Sequence, residues 1–405
     1  MAAGRSRGDG VRTAIGRADR AVPCRSESVY AVGNKTDELS QDLPELPTAP
    51  NGTTVLVHCR AGFEREAAEE LAGQAAARGF KGTTEARPGL ALFTPAPPVA
   101  LARIAAALRY ADLVFARQLL FSSALCAGLP VGDRVAPLVA AARAQANRYG
   151  EIVIETADTE ASKPLLRLCR GLTAPLRQAL RSAGLLGDAP MDPAWPRLHI
   201  TFLQSSSAVV GLSYPGNFSP WPMGIPRLRA ARGAPSRAGR KLEEAFLTLL
   251  TADEREQRLR AGMVAVDLGA APGGWSWQLA RRGLSVTAVD NGSLCGEVLG
   301  SGLVRQVRAD GFRYRPARPV DWMVCDIVDR PDRVTDLVVR WFLEGWCRQC
   351  IFNLKLPMKR RLETVWRCRE VIGATLAAAR LRHRLAFKHL YHDRIEVTGY
   401  LTRLS

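Results

Sequence analysis

The stretch MVAVDLGAAPGGWSWQLAR, running from Met263 to Arg281, decides the fold. Met263 to Leu268 reads as an apolar strand, Gly269 to Gly274 as a turn of small residues, and Trp275 to Arg282 as the start of a helix. A strand that feeds a helix through such a turn opens a parallel α/β sheet, and ligands of these sheets settle at the C-terminal strand ends. Small residues there let the backbone approach a bound nucleoside. The spacing from Gly269 is GxxxGG rather than GxGxxG, and Pro272 disturbs a phosphate-cradling helix start, which argues against an NAD dehydrogenase.

Working outward, Ser285 to Val289 predicts a second strand with Asp290 at its tip, placed to accept hydrogen bonds from a ribose diol. Asp310 closes the strand-like stretch Leu303 to Ala309, and Asp321 to Cys325 delivers Asp326. A single aspartate at a strand end is commonly a cap or turn residue, whereas three in succession describe a nucleoside pocket. Cys350 to Leu354 predicts a fifth strand that presents Lys355, followed by Lys359, Arg360 and Arg361. Two readings of Lys355 stand open: a phosphate-binding cation within a basic run, or a general base, because burial and a second nearby cation both favour the neutral amine.

Upstream, Thr53 to Cys59 predicts a strand, Glu64 to Ala77 a helix, Leu90 to Thr94 a returning strand, Leu101 to Tyr110 a helix and Leu113 to Phe121 a further strand. A helix around Arg134 to Asn147, the strand Glu151 to Thr156, a basic helix from Glu160 to Ser182 and the strands Leu198 to Leu203 and Ala208 to Tyr214 form a second unit. On the basic helix, Lys163, Arg167, Arg170, Arg177 and Arg181 read either as a solvated face or as an RNA contact. The Pro-, Gly- and Arg-rich segment from Asn217 to Pro235 marks a linker. Residues 1–51 lack helical or strand periodicity and are expected to be a disordered extension.

A formal charge of +17 over 405 residues attracts a polyanion, most simply RNA or DNA. Only seven of the 56 basic residues are lysines, so a lysine at a strand end stands out. The nine cysteines fit a reducing cytoplasm better than a disulfide framework. Cys347 and Cys350 form a CxxC with no second pair at zinc spacing and read as core thiols, so no metal is expected. No apolar run is long enough to cross a bilayer, and no coiled-coil segment appears, so a monomer is expected.

Ser236-Arg237, Lys241-Leu242, Glu244, VDLGAAPGGW at 266–275, Asp326, Lys355 and Glu396 together resemble the 2′-O-ribose RNA methyltransferases with a Lys-Asp-Lys-Glu tetrad. The similarity extends through VLVHCRAGFEREAAEEL at 55–71, FARQLL, ADTEASK, MGIPRL, APSR, WMVCDIV, IFNLKLPMK and LYHDRIEVT. Over residues 53–400 the chain is similar to the bacterial 23S rRNA cytidine 2′-O-methyltransferases of the RlmM family. The resemblance implies an α/β protein with a ferredoxin-like domain at 52–120, a THUMP RNA-binding domain at 121–228, a linker at 229–235 and a Rossmann-like methyltransferase domain at 236–405. It implies S-adenosylmethionine held by Ala271, Pro272, Gly273, Gly274, Asp290, Asp310 and Asp326, and a catalytic set of Lys241, Asp326, Lys355 and Glu396 with Lys355 as base. The implied partner is 23S ribosomal RNA, protein-free or as an early precursor. Ala238 departs from the pattern, because relatives can carry there a serine that contacts the cofactor.

Two rivals remain at this level. A base methyltransferase would need an Asn-Pro-Pro-aromatic turn where Asp326-Ile-Val-Asp stands, or a nucleophilic cysteine, for which Cys325 is adjacent but on the opposite side of its strand. A non-catalytic RNA-binding ribosome assembly factor that senses S-adenosylmethionine would have no use for a complete tetrad.

Overall fold

A computed structural model describes residues 53–187, 192–229, 231 and 233–404. The extension expected at 1–51 lies outside the described residues. The first half comprises β1 (Thr54–His58), α1 (Glu64–Ala76), β2 (Gly82–Arg87), β3 (Leu90–Pro95), α2 (Leu101–Ala107), β4 (Gln118–Cys126), α3 (Val135–Arg143), β5 (Glu151–Thr156), α4 (Leu165–Ser182), β6 (Arg197–Gln204) and β7 (Ser207–Ser213). These strands form one seven-stranded sheet in the order β2-β3-β1-β4-β7-β6-β5. Strand β4 joins the two units: Gln118 to Ser122 pair with β1, and Phe121 to Cys126 pair with β7. The boundary expected at residues 120 and 121 therefore falls inside a strand.

Two expectations are corrected here. The strand expected at Leu113 to Phe121 begins only at Gln118, because the apolar run before it is buried as a loop. Its backbone is satisfied by side chains: Val114 and Phe115 N–H donate to Glu70, at 2.7 and 2.9 Å. The basic helix starts at Leu165 rather than Glu160, since Pro164 lacks the N–H that an earlier turn would need. Strand β2 was not expected; its sequence GTTEAR lies at the sheet edge, largely exposed, and carries no apolar alternation.

The second half comprises α5 (Ala238–Leu249), α6 (Ala252–Arg258), β8 (Val264–Leu268), α7 (Gly274–Ala280), β9 (Ser285–Val289), α8 (Gly296–Leu299), β10 (Val304–Val307), β11 (Val320–Cys325), α9 (Pro331–Leu343), β12 (Cys347–Lys355), α10 (Arg361–Ala378), β13 (His383–Lys388) and β14 (Glu396–Arg403). Its sheet has the order β10-β9-β8-β11-β12-β14-β13; β8 to β12 run parallel and β14 is antiparallel to both neighbours. This is a Rossmann-like doubly wound sheet that reverses order beside β8, where such folds bind nucleosides. The predicted CxxC cysteines are buried on β12, with Cys350 Sγ 3.5 Å from Met323 Sδ.

The two sheets share a hydrophobic core that includes Val55, Phe63 and Phe115 from the first half and Val334, Phe352 and Phe387 from the second. The His389 ring lies 4.2 Å from that of Phe63 and 5.8 Å from that of Phe115. Among the described residues, no helix is long and apolar enough to cross a membrane.

Candidate active site

The turn between β8 and α7 is shaped by its glycines. Gly269 and Gly273 adopt φ of +79° and +112°, which side-chain-bearing residues rarely occupy. At Gly274 a Cβ would fall 2.3 Å from Ser236 Oγ and 3.0 Å from Gly239 N, so only glycine lets α7 start against α5. Trp275 Nε1 donates to the Ala238 carbonyl at 3.1 Å. The position that lacks a hydroxyl thus uses its backbone to fasten the turn, and the hydroxyl beside Gly274 belongs to Ser236.

Beneath the turn, Asp267 is fully buried and accepts a hydrogen bond from Ser276 Oγ at 2.7 Å. Burial pushes its carboxyl up to about 7. The folded chain then keeps a proton that the unfolded chain releases above about 3.8, so this residue's contribution to stability is complete at low pH and is lost as pH rises through about 7. Asp267→Asn is expected to abolish that loss. Thermal midpoints of the cofactor-free protein should favour the variant more at about pH 8 than at about pH 5, and an unchanged gap would contradict the assignment.

A cavity of 330 Å³ opens at this end of the sheet, lined by Gly269, Ala271, Asp290, Asp310, Asp326 and neighbouring apolar residues that include Phe312 and Ile327. Asp290 accepts from Ala271 N–H at 3.0 Å and from Gly292 N–H at 2.7 Å, so it props the turn open and each oxygen retains a lone pair for a further donor. Asp310 lies three residues beyond β10, capped by Phe312 N–H at 2.9 Å, and its carboxylate is half exposed. Carboxylates, small residues and an apolar wall suit a cationic nucleoside. Of the four turn residues expected at the cofactor, Ala271 lines this cavity, whereas Pro272, Gly273 and Gly274 form the turn and helix start behind it.

Lys241, Asp326, Lys355 and Glu396, separated by up to 155 positions in sequence, meet in one cluster. Pairing of β12 with β14 sets Lys355 directly opposite Glu396. Lys241 Nζ donates to Glu396 at 2.7 Å and lies 3.4 Å from Asp326; Lys355 Nζ lies 3.3 Å from Glu396 and 3.9 Å from Asp326. Burial lowers the Lys241 pKa, but Asp326, Asp393 and Glu396 outweigh it and hold the ammonium above its ordinary value. Burial likewise raises Glu396, yet Lys241 and Lys355 outweigh it and keep the carboxylate ionised. Lys241 is thus a fixed cation within the wall, and Lys355, with about a quarter of its side chain exposed, faces outward.

Two supporting residues, Asn353 and Thr398, escaped the sequence reading. Asn353 Nδ2 donates to Asp326 at 2.7 Å, and Thr398 Oγ1 donates to Asn353 Oδ1 at 2.8 Å and lies 3.0 Å from buried Asp393. Asn353 stands two residues before Lys355 on the same strand, and a buried amide at that register is the signal that marks it. Glu244, one turn beyond Lys241 on α5, accepts from Tyr391 and His392 N–H at 2.7 and 2.9 Å and so fixes the segment leading into Glu396.

On the other side of the cluster lies a 720 Å³ cleft bordered by both halves of the chain. Lys241 and Glu396 line it, as do Arg60, Arg227, Arg237 and Arg394. The tetrad therefore separates two cavities, with Asp326 in the wall of one and Lys241 and Glu396 in the wall of the other. Of the basic face expected on α4, Arg177 and Arg181 hydrogen-bond the Ile152 and Gly187 carbonyls, and the cation lining the cleft from that region is Lys163, just before the helix.

A Rossmann-like sheet with a glycine turn, an aspartate-lined nucleoside cavity and a lysine-carboxylate cluster at its edge defines an S-adenosylmethionine-dependent methyltransferase. Consistent with that class, the FtsJ-like methyltransferase model matches residues 234–340. The RlmM ferredoxin-like domain matches 53–120, and the N-terminal model of ribosomal RNA large subunit methyltransferase M matches 133–214. Proteins named ribosomal RNA large subunit methyltransferase M are 50% identical over 360 residues in Methylococcus capsulatus, 49% over 364 in Aromatoleum aromaticum and 46% over 366 in Thauera aminoaromatica. These alignments cover 88%, 89% and 90% of this chain and 100%, 98% and 99% of the respective relatives. The chain belongs to the ribosomal RNA large subunit methyltransferase M family.

Proposed function

We propose that the protein methylates the 2′-hydroxyl of a cytidine in 23S ribosomal RNA, with Lys355 as general base. The observation that carries this reading is the tetrad in the partition between the two cavities. The smaller cavity, with Ala271, Asp290, Asp310 and Asp326 as its polar lining, takes the cofactor, and the basic cleft takes RNA. When bound, S-adenosylmethionine supplies a methyl group on a cationic sulfonium, open to direct displacement by the ribose oxygen.

The chain's own residues prepare that oxygen. Lys355, as the neutral amine, takes the 2′-hydroxyl proton at Nζ. Lys241 remains a fixed cation, and Asp326 and Glu396 orient both lysines. Asn353 and Thr398 hold Asp326 in place from behind. Cytosine C5 chemistry is disfavoured, since Cys325 is fully buried and burial pushes its thiol up to about 12.

The units at 52–120 and 121–228, the latter read as a THUMP domain, would capture the RNA together with the linker at 229–235. A cytoplasmic monomer acting on protein-free or early precursor RNA completes the reading. Incubation with deproteinised rRNA and methyl-labelled cofactor, followed by digestion to nucleosides, should give labelled 2′-O-methylcytidine. Label in 5-methylcytidine, or no label in RNA, would refute it.

A further inference from the structure

Two of the most exposed large apolar side chains flank the catalytic cluster. Met358, three residues beyond Lys355, is 89% exposed, and Ile395, immediately before Glu396, is 52% exposed. Leu356 N–H donates to the Ile395 carbonyl at 2.7 Å, so the two loops leave the site side by side. Exposed cations adjoin each apolar tip in the chain, Lys359 and Arg360 after Met358 and Arg394 before Ile395. Met358 buries almost nothing and Ile395 leaves about half its surface in water, so core packing explains neither exposed tip.

We infer that Met358 and Ile395 form an apolar fork that enters the RNA stack next to the target and fills the space its base leaves. This rests on the 2′-O-methylation reading above. A ribose hydroxyl that must reach Lys355 needs its nucleotide turned out of a stacked helix or loop, and unstacking exposes the faces of the neighbouring bases to water. Apolar side chains that slide against those faces offset that cost, as wedge residues do in proteins that kink duplexes. The flanking cations match the phosphates on either side, which commits the fork to a nucleic acid rather than to an apolar protein surface. Met358 and Ile395 are positioning residues and take no part in the proton transfer.

The test compares two RNAs, deproteinised 23S rRNA that lacks the modification and a short single-stranded oligonucleotide spanning the modified cytidine. The double variant Met358→Ser, Ile395→Ser should lose roughly tenfold or more in kcat/KM on the structured RNA, stay within about twofold on the oligonucleotide and bind S-adenosylmethionine as the wild type does; Met358→Leu, Ile395→Leu should restore activity on the structured RNA. Equal losses on both RNAs, or no loss on the structured one, would overturn the fork while leaving the methylation reading intact. Failure of the wild type to methylate any ribose would remove the reading itself and the fork with it.

Discussion

Replacing Lys355 by alanine is expected to lower methyl transfer by roughly 10²- to 10⁴-fold, the usual contribution of a positioned general base. Affinities for S-adenosylmethionine and RNA should change little, because Lys355 lines neither the aspartate-walled cavity nor the core of the basic cleft. Lys355→Arg should fail as completely, since a guanidinium keeps the charge and cannot take up the proton. The assignment of roles depends on an asymmetry between the two lysines. Lys241 is the more buried, donates to Glu396 at 2.7 Å and has its ammonium stabilised by three carboxylates, whereas Lys355 sits farther from both carboxylates and nearer solvent. Single-turnover rates with both substrates saturating isolate the chemical step, and a Lys355→Ala enzyme with nearly full activity would contradict the assignment.

The second large effect lies away from the chemistry. Lys388→Met is expected to destabilise the protein by about 3–5 kcal/mol, because three carbonyls lose their donor and the buried Glu70 loses a compensating charge. Lys388 is buried at the end of β13, where its ammonium meets the Tyr110, Leu113 and Ala116 carbonyls at 2.7, 2.5 and 3.3 Å and the Tyr110 ring at 3.5 Å. Glu70 is buried against the same loop and receives two of its N–H groups. Burial pushes Lys388 down and Glu70 up, and each partly offsets the shift of the other. Three carbonyls need three donors, which only the ammonium form supplies. Denaturant unfolding should place the Lys388→Met midpoint well below wild type, with Glu70→Gln added in the same chain recovering part of the loss; a midpoint equal to wild type would show that the pair contributes nothing. The clamp ties the methyltransferase sheet to the first half, so His389 to Glu396 enter the active site from a fixed base.

The cofactor end of the site was legible in sequence because it is local. A strand, a glycine turn and a helix start lie within twenty residues of one another, and Asp290 and Asp326 close the neighbouring strands. Glu396 was reachable only through resemblance. Its position depends on β14 running antiparallel beside β12, a pairing 41 positions apart that no periodicity encodes. Asn353 and Thr398 were hidden for the same reason, since each looks like an ordinary strand residue until the register sets one against the other. Apolar pattern misled at Leu113 to Ala116, where burial comes from tertiary clamping by Glu70 and Lys388 rather than from a strand. It was silent at β2, an edge strand with little to bury. The basic face of α4 was visible as composition, but the hydrogen bonds of Arg177 and Arg181 turn part of it to local structure.

The central claim is that Lys355 drives ribose methylation of large-subunit RNA. The most direct measurement maps 2′-O-methylation across the rRNA of cells carrying the wild-type protein, no protein, or the Lys355→Ala variant. One cytidine of 23S rRNA should be methylated with the wild type and unmodified in the other two, and methylation that persists without the protein or returns with Lys355→Ala would contradict the account.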